Sequence, residues 1–152
     1  MSDVSIEVFG IQECQDYFTN AAESLVENVS LKLADVCQQI AEYAQSIAPV
    51  RTGAYRDSIH VEQNGPLDFS IVADASYAAF IKFGTAPHII IPSQAKVLAF
   101  DVGGETVFAK YVMHPGTPAF MTIHTAKKDN MANIVDAIRQ GVAEALSEGV
   151  SK

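Results

Sequence analysis

The sequence predicts an α+β fold, and three observations carry that reading. A helical apolar stripe runs through the first third of the chain, a second one occupies its C-terminal end, and short alternating segments punctuated by Gly and Pro lie between them. With 152 residues, 49% of them hydrophobic and only 18% charged, the chain can bury a core. The predicted architecture is a long N-terminal helix and a C-terminal helix packed on an antiparallel sheet of four or five short strands. A single domain over residues 1–152 is expected, with an extended arm or loop near residues 84–96.

The elements follow in order. Val4, Ile6 and Val8 alternate with polar residues and predict a short strand closed by Gly10. A short helix is expected over residues 11–18. Asn20 and Glu23 stand at capping-box spacing and predict a break at Thr19-Asn20 and a fresh helix start. Ala21, Leu25, Val29, Leu33, Val36, Ile40, Ala44 and Ile47 then recur at intervals of three and four, the signature of one buried helical face. Pro49 disfavours helical geometry in Ala48 and sets the stop. Ile59 and Val61 mark a strand over residues 58–63, Asn64-Gly65-Pro66 a turn, and Leu67, Phe69 and Ile71 the returning strand. Residues 74–83 carry Tyr77, Phe80, Ile81 and Phe83 at helical spacing, read as core positions of a short helix ended by Gly84. His88-Ile89-Ile90-Ile91 lies between Pro87 and Pro92, which suits an edge strand or extended arm. Residues 97–102 and 106–112 pair as a hairpin across Gly103-Gly104. The last helix starts after Thr117 with Pro118 in its first turn and ends near Gly149; its stripe is Met131, Ile134, Val135, Ile138, Val142 and Leu146.

Net charge is −8, and it is concentrated. Residues 1–50 hold eight acids (Asp3, Glu7, Glu13, Asp16, Glu23, Glu27, Asp35, Glu42) against Lys32 alone, so that third carries −7. Such a chain has no basic footprint for gripping phosphates, which argues against a sequence-specific DNA or RNA binder. Glu23, Glu27 and Asp35 are candidates for a face that repels DNA or meets a basic partner; the simpler reading is a solvated helix face. Cys14 and Cys37 fall on the apolar helical stripe and are read as reduced, buried thiols. No leader-like segment follows Met1 and no apolar run reaches bilayer length, so a soluble chain is expected.

Catalysis needs convergent groups, and few are on offer. Asp57, Ser58 and His60 are adjacent, but alternation on a strand turns Asp57 away from the other two and no nucleophile elbow surrounds the serine. His88, His114 and His124 lack paired ligands at recognised spacing. Gly103-Gly104 has no phosphate-cradling pattern. No catalytic residue, cofactor site or metal site is therefore expected. A small cytosolic metal-dependent hydrolase built on the three histidines with Asp101 is the contrasting hypothesis. Arg51, just past a helix end, can bond free helix carbonyls or reach a carboxylate on a neighbouring chain, and the local role is favoured. Three consecutive isoleucines, Ile89, Ile90 and Ile91, cannot all face one core, so one side is expected to meet another element or subunit. Gly53 and Gly84, each between an element end and a change of direction, are expected at positive φ.

Several of these motifs occur together in one order: Ala48-Pro49-Val50-Arg51-Thr52-Gly53, Tyr55-Arg56-Asp57-Ser58-Ile59, Tyr77 leading to Phe83-Gly84-Thr85, residues 92–100, Phe108-Ala109-Lys110 and His114-Pro115-Gly116-Thr117-Pro118-Ala119-Phe120. In that order they resemble the neck and tail-completion proteins of tailed bacteriophages, over about residues 6–141. The resemblance implies a non-enzymatic virion subunit at the head-to-tail junction, assembled in the host cytoplasm. It further implies a cyclic homo-oligomer joining head to tail around the DNA channel, with neighbouring head-completion or connector and tail proteins as partners. DNA would be passing cargo only, with no membrane and no cofactor. A tail terminator ring of the same particle is the related alternative. Pro49, Arg51, Thr52, Gly53, Gly84, Thr85, Pro115, Gly116, Pro118 and Phe120 would be its structural motif. Ile89, Ile90, Ile91, Arg51 and Arg56 would be inter-subunit contacts.

Overall fold

The computed structural model describes residues 9–148, in two units. One unit comprises the chain up to Asp74 together with the chain from Ile123 onward; the other is Ala75–Thr122. The α+β class is borne out, with eleven elements among the described residues in the order α1 Ile11–Ile47, α2 Ala54–Asp57, β1 Ile59–Gly65, β2 Asp68–Ala73, α3 Ala78–Phe83, β3 His88–Ile90, β4 Leu98–Val102, β5 Glu105–Ala109, β6 Val112–His114, α4 Thr122–Asp129 and α5 Met131–Glu148. The strands do not form one sheet of four or five. They form three antiparallel two-stranded ribbons, β1 with β2, β4 with β5, and β3 with β6.

In the first unit, α1 is one helix of 37 residues, about 55 Å long at 1.5 Å per residue. The expected break at Thr19-Asn20 is absent because the polar side chains there serve the helix instead of capping a new one. Thr19 Oγ1 donates back to Gln15 O at 2.9 Å and Ser24 Oγ to Asn20 O at 3.1 Å, and Asn20 caps nothing. The helix stops where predicted: Ala48 turns extended (φ −67°, ψ 141°) ahead of Pro49. The strand expected over residues 4–9 lies outside the described residues except for Phe9, which is in no strand.

The α1 stripe is borne out, with Ala21, Val29, Val36, Ile40 and Ala44 buried and Leu25, Leu33 and Ile47 half-buried. Cys14 falls off it and is exposed, whereas Cys37 is half-buried; both are free thiols. Antiparallel to α1 runs α5, as the contacts Tyr17 to Leu146, Lys32 to Glu144 and Tyr43 to Asp129 at the end of α4 show. Here the predicted stripe is corrected. The residues α5 buries are Ala137, Gly141 and Ala145; of the predicted stripe Ile134 and Val142 are half-buried, while Met131, Val135, Ile138 and Leu146 remain exposed. The reason is how closely the helices approach. A Cβ at Gly141 would lie 2.7 Å from Val29 Cα, so only small residues fit the seam and the large ones are displaced to its flank. The C-terminal helix also begins later than expected, at Thr122, because Thr117 is held in a strand-like bridge and Phe120 N–H donates to Ile81 O at 2.8 Å. Asn130 divides it into α4 and α5, its side chain donating to Ala126 O at 2.9 Å.

The β1–β2 hairpin packs on α1. Ile59 is 1% exposed, Tyr55 of α2 is buried beside it in sequence, and Gln45 Nε2 of α1 donates to Ile59 O at 2.8 Å. Burying Ile40 and Ile59 contributes roughly 1.5–3 kcal/mol each.

The Ala75–Thr122 unit differs in kind. Its hairpin β4–β5 turns at Gly103-Gly104 as predicted, with Val102 opposite Glu105. Tyr77, Phe80 and Phe83, read as core, are exposed at 40%, 62% and 67%. A six-residue helix and two ribbons supply no second layer to cover these rings, and Lys82 Nζ sits 5.1 Å from the Phe83 ring centroid in their place. No apolar side chain of this unit is buried.

Candidate functional site

The motif residues Gly84-Thr85 and Gly116-Thr117, 32 positions apart, are brought against each other. Thr85 N–H donates to Thr117 O at 3.0 Å, Thr117 N–H to Thr85 O at 3.1 Å, and the two hydroxyls lie 3.0 Å apart. The glycines are what permit this crossing. A Cβ at Gly84 would collide with Thr117 O and lie 2.9 Å from Ala119 N; one at Gly116 would collide with Thr85 O. Gly84 (φ 70°, ψ −173°) also sits in backbone space essentially restricted to glycine. The expectation of positive φ at Gly84 and Gly53 is met, with φ of 88° at Gly53.

Just beyond the crossing, β3 and β6 pair in the register His88 with His114, Ile89 with Met113 and Ile90 with Val112. Alternation puts Ile89 and Met113 on one face, where they are 55% and 61% exposed. Ile91, which follows the strand, is exposed as well, and so is Ile90. None of the three isoleucines is in a core of its own chain. An open cleft of about 630 Å³, lined by Phe80, Gly84, Thr85, Ala86 and His88, adjoins the crossing. Phe120 is half exposed, and Pro115 and Pro118 are exposed.

The remaining predicted positions lie in the first unit. Pro49 is half-buried at the end of α1, and Thr52 Oγ1 accepts from Ala54 N–H at 3.4 Å. Arg51 is exposed and makes no hydrogen bond or ion pair among the described residues, so the local bond to helix carbonyls is not formed. Arg56 Nε holds Asp57 Oδ1 at 2.7 Å, which raises the guanidinium pKa, through that hydrogen bond first. Glu23, Glu27 and Asp35 are exposed; the first two, one turn apart, line an open groove with Gln63, Asn64 and Pro66 of the hairpin. Lys32, the one base of α1, is spent on Glu144 at 2.8 Å, so none of the six carboxylates of α1 is in an ion pair among the described residues.

The histidines do not assemble as the hydrolase hypothesis requires. His88 and His114 stack with ring centroids 5.0 Å apart, but His114 Nδ1 accepts from Gly116 N–H, and Asp101 accepts from Gly104 N–H on the other ribbon. His124 belongs to the first unit. Nor do Asp57, Ser58 and His60 form a relay: Ser58 Oγ donates to Tyr55 O and Asp57 is held by Arg56.

One cluster escaped the sequence reading. His60 Nε2 lies 3.6 Å from Glu62 Oε1 and 3.7 Å from Asp74 Oδ2, while its Nδ1 is 3.0 Å from Ser58 O. The Ser58 bond is the leading cause of a raised His60 pKa, and the two carboxylates add to it. The signal available was the His-x-Glu spacing on an alternating strand. Asp74 joins only through the hairpin pairing, which a scan along the chain does not display.

Residues 12–84 match the model of a family described as "Bacteriophage HK97-gp10, putative tail-component". No curated protein and no solved structure matches the chain. The match ends at Gly84, so the motifs at residues 92–100, 108–110 and 114–120 fall beyond it.

Proposed function

From the match of residues 12–84 to the HK97-gp10-like family model of a phage tail component, we propose that the chain is a structural, non-enzymatic virion protein of a tailed phage. It forms a closed ring in the neck or at the head-proximal end of the tail and joins head to tail around the DNA channel. Its partners are further copies of itself and the adjoining head-completion, connector and tail proteins.

The observation that carries the assembly reading is the Ala75–Thr122 unit, which buries none of its own large apolar side chains. Ile89, Ile91 and Met113 on one ribbon and Phe80 and Phe83 on α3 are an apolar surface that a free monomer would leave in water. A ring supplies cover through head-to-tail contacts in which one patch meets a different patch on the next copy. The unpaired carboxylates of α1 suit a channel wall that DNA slides past without adhering. No helix among the described residues is long and apolar enough to cross a membrane.

Light scattering and negative-stain microscopy of the purified chain test the ring, alone and mixed with phage heads or tails. Closed rings, alone or on those partners, are expected; a chain that stays monomeric in every mixture overturns it. Gold labelling in intact particles then separates a junction or tail-terminator position, at the head-proximal end, from one elsewhere in the tail.

A further inference from the structure

The His60, Glu62 and Asp74 cluster is built by the hairpin itself. His60 and Glu62 are two residues apart on β1 and therefore share a face. Val72 of β2 pairs with His60, so Asp74, immediately after β2, returns the chain to the same edge. One carbonyl organises the set: Ser58 O accepts from Asp74 N–H at 3.3 Å and lies 3.0 Å from His60 Nδ1. Because a carbonyl can only accept, Nδ1 carries the proton and Nε2 faces the two carboxylates. This is the arrangement by which a backbone carbonyl orients a metal-ligating imidazole.

What occupies the space at Nε2 is decided by distance. A charge-assisted hydrogen bond from an imidazolium would bring nitrogen and oxygen to about 2.7–2.9 Å, and the observed 3.6 and 3.7 Å are too long for one. Tetrahedral zinc, with nitrogen and oxygen ligands about 2.0–2.2 Å from the metal, separates its ligands from one another by roughly 3.4 Å. The pairs from Nε2 stand close to that edge length, and all three ligand atoms lie within 4.8 Å of one another. Two carboxylates balance the charge of a divalent cation, and side chains 44%, 49% and 69% exposed give it open access and room for water in the fourth position.

We propose that His60 Nε2, Glu62 and Asp74 form a surface site for one divalent transition-metal ion, with Zn²⁺ the best match to one imidazole and two carboxylates. The ion ties β1 to the residue that follows β2 and so stabilises the hairpin that packs on α1. Its role is structural, and it does not depend on the ring reading.

The test is calorimetric titration of ZnCl₂ into the full chain stripped with EDTA. One Zn²⁺ per chain is expected, with binding weakened about tenfold or more in each of His60→Gln, Glu62→Gln and Asp74→Asn, and unchanged in His124→Gln. The thermal midpoint of the wild type should rise with Zn²⁺ concentration, and that rise should vanish in His60→Gln. Circular dichroism checks that the variants are folded, and since all three positions reach solvent they should be. Absence of stoichiometric binding overturns the site. So does binding that survives these three variants but is lost in His88→Gln or His114→Gln.

Discussion

The two units of this chain spend their apolar residues in opposite ways. Around α1 and α5 the buried residues are small or aliphatic and interlocked, with Gly141 seated on the Val29 backbone and Ile40 and Ile59 sealed from water. In Ala75–Thr122 nothing apolar is buried, and order comes from main-chain pairing in short ribbons and from the glycine crossing. The first unit is held by the hydrophobic effect acting within one chain. The second has hydrogen-bonded shape without that driving force, and isolated ribbons of this kind are marginal in water. The proposed assembly rests on that difference.

The largest effects are therefore expected in the first unit. Ile40→Ala should destabilise it by about 2–5 kcal/mol in denaturant titrations, because a side chain only 1% exposed is removed from the core. Gly141→Val should cost about 1–3 kcal/mol by forcing α5 away from Val29, although valine would otherwise be a better helix former than glycine. If either variant melts like the wild type, the seam is not the source of stability and the comparison fails.

A smaller and more local loss is expected at the crossing. Gly84→Ala should cost about 1 kcal/mol or more from its positive φ, together with displacement of Thr117. Hydrogen exchange should show it as faster exchange at the Thr85 and Thr117 amides, while amides of residues 21–47 keep their protection. Loss of protection in α1 would mean that the two units unfold as one.

This asymmetry also explains what could be read in the chain beforehand. The α1 stripe was legible because a helix burying one face imposes a period, and Pro49 set its end through local sterics that need no partner. The β4–β5 hairpin was legible for the same reason, as Gly103-Gly104 acts on the backbone alone. The burial of Ala137, Gly141 and Ala145 in place of Met131, Val135 and Ile138 was hidden because it depends on how closely two helices approach, a tertiary distance no periodicity contains. Tyr77, Phe80 and Phe83 misled because hydrophobicity states that a ring gains by cover, not that a six-residue helix and two ribbons can supply it. At the site, Gly84 and Gly116 could each be recognised as turn glycines, but their meeting across 32 residues could not. Glu62 and Asp74 were passed over because ligands contributed by two strands look like scattered surface charge.

On the second unit, Ile89→Asp should leave the monomer's unfolding free energy within about 0.5 kcal/mol of the wild type, since the side chain is 55% exposed. It should nevertheless abolish ring formation in light scattering, because a carboxylate cannot be buried without a partner. Normal assembly by this variant would remove β3 from the interface and leave the exposure of the ribbon without an account.

The smallest change in stability, with a functional consequence, is expected on α1. Reversing Glu23, Glu27 and Asp35 together to lysine alters exposed side chains that hold no ion pair, so folding should be nearly unaffected. If these carboxylates face passing DNA, six units of charge change at the wall, and lysines would pair with phosphates where carboxylates repelled them. The interaction is short-ranged, since screening sets in beyond a Debye length of about 8 Å at physiological salt, so the wall must lie near the duplex to matter. Particles carrying the triple variant should assemble but eject DNA more slowly, and the defect should shrink as salt is raised. Fully infectious particles at every ionic strength would show that these three carboxylates lie on a solvated helix face. The contrast between the units would then rest on their apolar surfaces alone.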